Sequence, residues 1–106
     1  MLPLLIGQPE GRSLRLLALG AHPDDIEIGA GGSLLTLAEQ CPGLEVLYVV
    51  LTGTVERGNE ARQAARLFLA GVDVTVELHN LPEGHLPAAW AQVKEVLENV
   101  AKRWAP

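Results

Sequence analysis

The chain has 106 residues, 48% hydrophobic and 20% charged, which allows one small packed domain and excludes a disordered chain. Its net charge of −5 argues against a nucleic-acid or anionic-membrane surface and leaves a small neutral substrate open. The single cysteine, Cys41, excludes an internal disulfide and fits a reducing compartment.

The first apolar stretch, Leu2 to Ile6, has no basic flank and is too short for a signal core or a membrane span. A cytoplasmic protein without a membrane span is therefore expected. Leu14 to Leu19 (LRLLAL) and Leu44 to Leu51 (LEVLYVVL) are near-continuous apolar runs, and both read as strands buried on two faces. Between them, Ser33 to Gln40 reads as a short helix stopped by Pro42-Gly43. Glu56 to Ala70 reads as a longer helix with Ala61, Ala64, Ala65 and Phe68 at helical spacing and Gly71 past its end. Val72 to Leu78 (VDVTVEL) alternates and favours a third strand.

Ala88 to Trp104 carries the clearest helical pattern. Trp90, Val93, Val96, Leu97, Val100 and Trp104 fall on one face and charged residues on the other, with Pro87 suited to the first turn. The order βαβαβα predicts an α/β fold with a parallel sheet in spatial order 3-2-1. Ligands of such sheets gather at the carboxyl ends of the strands. Three loops converge there: Gly20–Gly32 (GAHPDDIEIGAGG), Thr52-Gly53-Thr54, and His79–His85.

The first of these loops carries the chemistry. His22 and Asp25 are three residues apart, so in a tight turn both can face one centre. An imidazole nitrogen with a carboxylate oxygen is part of a shell for zinc or another divalent metal. Asp24 then points elsewhere, and facing a metal-bound water it can act as general base. Pro23 fixes the backbone between them, and Gly29, Gly31 and Gly32 permit close approach at the start of the helix that follows. The plainer reading is that Asp24 or Asp25 caps that helix and His22 is a surface loop residue.

The stretch AHPDDIEIGAGGSL, Ala21 to Leu34, resembles the signature of the LmbE-like, or PIG-L, family of zinc-dependent N-deacetylases. That family removes the acetyl group from N-acetylglucosamine carried on various aglycones. Arg57, Glu60 and Ala61, followed by Ala64-Ala65, resemble its Arg-x-x-Glu helix. Leu81–Leu86 (LPEGHL) resembles its loop after the third strand, with Glu83 where aspartate is usual. Ile26 stands where glutamate is commoner, with Glu27 one place later. The resemblance runs from about Leu14 to the end of the chain and implies a Rossmann-like three-layer sandwich. It makes His22 and Asp25 zinc ligands, Asp24 the general base and Arg57 a substrate contact. It also implies a third ligand from a later HxDH-like segment, so residues 1–106 are read as a single, truncated domain lacking the C-terminal half of the family fold. His79 and His85 lie on the correct edge to supply a ligand but match no family ligand position. A strand-end histidine and a loop histidine are the plainer readings of the two.

Readings from other classes are weaker. A dinucleotide-binding module lacks G-x-G-x-x-G and an acidic residue after strand two. A magnesium-binding receiver module needs an aspartate after strand three, where His79-Asn80 stands. A non-catalytic remnant of the deacetylase fold, or a binding module, is the main alternative. The expectation is an amide hydrolase with a Zn2+ cofactor and a small amino-sugar substrate. Low activity is expected of this chain alone, and self-association through the open edge of strand one.

Overall fold

A computed structural model describes residues 13–106; the Leu2–Ile6 stretch lies outside the described residues. The elements are β1 (Arg15–Gly20), α1 (Asp25–Gln40), β2 (Glu45–Val50), α2 (Val55–Phe68), β3 (Asp73–Leu78) and α3 (Trp90–Arg103). All strand pairs are parallel, in register Gly20↔Val50↔Leu78 at the carboxyl ends. The sheet order is β1-β2-β3, where the sequence predicts 3-2-1; in either order β2 is the centre strand.

Successive crossovers of one hand in one direction place their helices on the same face of the sheet, and the packing follows that rule. Val46, Tyr48 and Val50 of β2 pack with Ile26 and Leu34 of α1 and Ala65 of α2. The alternate residues, Leu47 and Val49, pack on the other face with Val93, Val96 and Val100 of α3. Period-two alternation thus divides β2 between two cores. The result is three layers, an arrangement compatible with a Rossmann-like layout. From β3, α3 returns to the start of β1, where the Trp104 ring lies 4.4 Å from the Arg15 guanidinium. None of the helices among the described residues is long and apolar enough to cross a membrane.

Three expectations are corrected. First, α1 begins at Asp25, not Ser33. Its glycines lie in the helix interior, and burial of Ile26 and Leu34 outweighs their cost of about 1 kcal/mol each. Only Gly31 serves a close approach, since a Cβ there would stand 2.9 Å from Phe68 Cζ; Gly29 and Gly32 have nothing within 4 Å. Second, β1 is not buried on both faces: among the described residues it is an edge strand, and Leu19 is 44% exposed. Third, Trp90 opens α3 at 66% exposure and does not join the apolar stripe that continues through Val93, Val96 and Val100.

The β1 edge has a consequence in solution. A groove of about 380 Å³ runs beside it, lined by residues including Leu16, Leu17, Leu19 and Leu37. The outer face of α1 adds Ile28 and Leu35, both exposed. An apolar, unpaired edge promotes strand pairing between molecules. Sedimentation velocity is expected to show self-association that rises with concentration and that Ile28→Lys with Leu35→Lys weakens. A monomer at all concentrations contradicts this expectation.

Candidate active site

All three loops expected at the carboxyl edge are there, and they are tied together. Thr52 donates from both its backbone nitrogen and its Oγ1 to the Ala21 carbonyl, at 3.0 and 2.7 Å. Leu81 N donates to the Leu51 carbonyl. Gly53 has φ of +144°, and a Cβ there would stand 3.0 Å from Pro23 Cγ. Only glycine fits such a backbone with the buried proline against it.

His22 and Asp25 are brought together as their spacing predicts. Asp25 Oδ2 accepts from the His22 backbone N–H at 2.9 Å and lies 3.2 Å from His22 Nδ1. The Asp25 carboxyl is held below its ordinary value of 3.8, chiefly by that backbone hydrogen bond and further by the His22 ring, against a smaller opposing effect of burial. Asp25 therefore stays ionised through neutral and mildly acidic pH, the form that binds a cation. Both side chains are partly open to solvent.

Asp24 occupies the N-cap position of α1, but its side chain makes no capping hydrogen bond. The capping explanation for its carboxylate therefore fails, and the group stands exposed beside the His22–Asp25 pair. Its charge is felt by Tyr48, whose phenol is pushed well above its ordinary value of 10.0 by burial, then by Glu27, then by Asp24.

Arg57 and Glu83, from α2 and the loop after β3, form an ion pair at 3.6 Å. The two positions selected by motif resemblance are thus neighbours in space. Beside them opens a cavity of about 540 Å³, bounded by residues of the second and third loops and the start of α2. Its lining includes Thr52, Thr54, Asn59, His79 and Asn80, and no carboxylate, lysine or arginine.

The histidines of the third loop do not complete a metal shell. His85 is exposed, and His79 Nε2 faces Glu77 at 3.5 Å. Among the described residues, no group of three or more His, Cys, Asp and Glu side chains stands close enough to hold a metal. His22 and Asp25 fit as two donors of a zinc site, which usually draws three from protein in catalytic centres.

Two features were not read from the sequence. Tyr48 Oη donates to Glu27 Oε1 at 2.5 Å, fastening α1 to β2 directly beneath the HPDD turn. Arg103 pairs with Glu77, which faces His79. A lone glutamate in the apolar start of α1 and the only tyrosine of the chain were the available signals for the first.

No family model matches the chain. Over 98 residues it is 34% identical to a curated protein of Escherichia coli strain K12 named "Uncharacterized deacetylase YaiS", the match taking in 86% of this chain and 50% of that protein. The chain thus spans about half the length of the curated relative it matches, and its similarity is to a protein that bears a deacetylase's name.

Proposed function

We propose that this chain carries half of the active site of a zinc-dependent N-deacetylase of the LmbE-like, or PIG-L, type, acting on an N-acetylglucosamine-type substrate. The observation that carries the reading is the His22–Asp25 pair at 3.2 Å, next to an Asp24 carboxylate that caps nothing. The likeness to a protein named as a deacetylase supports it.

His22 and Asp25 would hold the metal. A zinc ion bound there supplies Lewis acidity toward a carbonyl and acidifies water. The chain's own residues account for the proton traffic. Asp24 takes the proton from the water that adds to the acetyl carbonyl and returns it to the amine nitrogen as the C–N bond breaks. The products are acetate and a free amine. Arg57 donates hydrogen bonds to sugar hydroxyls, a role supported by its pairing with Glu83 of the third loop. The uncharged, hydroxyl- and amide-lined cavity suits a neutral sugar better than a phosphorylated one.

The two-donor shell favours a second reading, in which the same fold binds without turning over. Acetate release from N-acetylglucosamine with zinc in excess separates the two. Slow release that stops when zinc is chelated supports the hydrolase, and a rate equal to buffer supports the binding module.

A further inference from the structure

The HPDD turn is fastened at both ends to β2 and the residues that follow that strand. Before the turn, the Ala21 carbonyl accepts from Thr52 N and Oγ1. After it, Glu27 Oε1 accepts from Tyr48 Oη at 2.5 Å. Among the described residues, this is the one hydrogen bond from the first turn of α1 to the sheet. Little else steadies that turn of helix. Asp24 gives it no side-chain cap. Gly29, Gly31 and Gly32 follow, each unfavourable in a helix interior. Ile28, Gly29 and Ala30 are exposed, and the next buried side chain after Ile26 is Leu34. The burial of Ile26 has no preferred direction, whereas the Tyr48 bond sets the rotation of the helix about its axis.

We propose that Tyr48 is a positioning residue of the metal half-site and acts through Glu27. The proposal rests on the reading of His22 and Asp25 as zinc donors given above. Asp25 opens α1, and its backbone N–H donates to the His22 carbonyl. The first turn of α1 therefore carries one donor and sets its angle to the other. Two donors hold a cation well only where they are oriented before it arrives. Without the phenol the first turn frays, and the apparent affinity falls with the fraction of molecules that keep the turn. Tyr48 is fully buried in the core, so its part is placement and not contact with the ligand.

The test is zinc calorimetry on the metal-free 106-residue chain, paired with amide exchange at Ile28. That amide donates to the Asp24 carbonyl and reports on the first turn. Tyr48→Phe and Glu27→Ala are each expected to weaken zinc binding about tenfold, the lower end of the range for the outer partners of metal ligands, and to quicken exchange at Ile28. The double variant is expected to lose no more than either alone. Glu27→Gln keeps an acceptor for the phenol, so its affinity should stay within about twofold of wild type. Val46→Ala, in the same core at the far end of β2, is expected to lower stability and leave zinc affinity unchanged. Should Tyr48→Phe not fold, Glu27→Ala against Glu27→Gln decides the question. Equal affinity for wild type, Tyr48→Phe and Glu27→Ala overturns the role of Tyr48 and leaves the half-site reading standing. A loss in Glu27→Gln as large as in Glu27→Ala means that charge acts and placement does not, and a loss shared by Val46→Ala means general destabilisation; either overturns that role. Absence of zinc binding by wild type overturns both.

Discussion

Leu47→Ala is expected to destabilise the fold by about 2–5 kcal/mol, the range for emptying a buried leucine site. Leu47 is 2% exposed at the centre of β2. It packs with Val49, Leu51 and Val100, flanked by Leu17, Val93, Val96 and Trp104. That cluster packs α3 on the sheet, and α3 carries Arg103 to Glu77. Small domains have about 5–15 kcal/mol in total, so this single change takes a large share. Leu67→Ala, at an exposed position of α2, is expected to stay within about 0.5 kcal/mol. Urea unfolding followed by circular dichroism compares the two. Equal midpoints for both variants contradict the two-core packing.

Asp24→Asn is expected to lower zinc-dependent acetate release by about 100- to 10,000-fold, the contribution of a placed general base. The amide keeps the shape of the carboxylate but cannot take a proton from water. Asp24 makes no side-chain capping bond, so stability should change little, and zinc affinity should be held by His22 and Asp25. Wild-type turnover is itself expected at trace level, because the described residues offer two protein donors where catalytic zinc usually has three. Release of isotopically labelled acetate has the necessary range. An Asp24→Asn variant as active as wild type removes Asp24 from the chemistry.

How much of this was legible beforehand depends on how far apart the partners lie in the chain. β2 was plain because a strand covered on both sides reads as an unbroken apolar run, Val46 to Leu51. The start of α1 was not, because Gly29, Gly31 and Gly32 read as loop while the burial that overrides them is tertiary. Trp90 shared a helical face with Val93, yet the end of that face extends past its neighbours. His22 and Asp25 were legible because a spacing of three within a turn fixes their proximity. Arg57 and Glu83 were selected by motif, and only the fold shows them paired. Tyr48 and Glu27 are separated by 21 residues, and Arg103 and Glu77 by 26. Those contacts arise from how the crossovers stack helices on the sheet, which no local pattern encodes.

The central claim is that the HPDD turn is a metal half-site, and zinc calorimetry on the metal-free chain tests it most directly. One weak, saturable binding event is predicted for wild type and retained by Asp24→Asn. Loss of a direct ligand costs at least the 10- to 100-fold typical of the outer partners of a metal ligand, so His22→Ala and Asp25→Ala should each weaken uptake by about 100-fold or more. Zinc uptake by His22→Ala and Asp25→Ala equal to that of wild type would contradict the account.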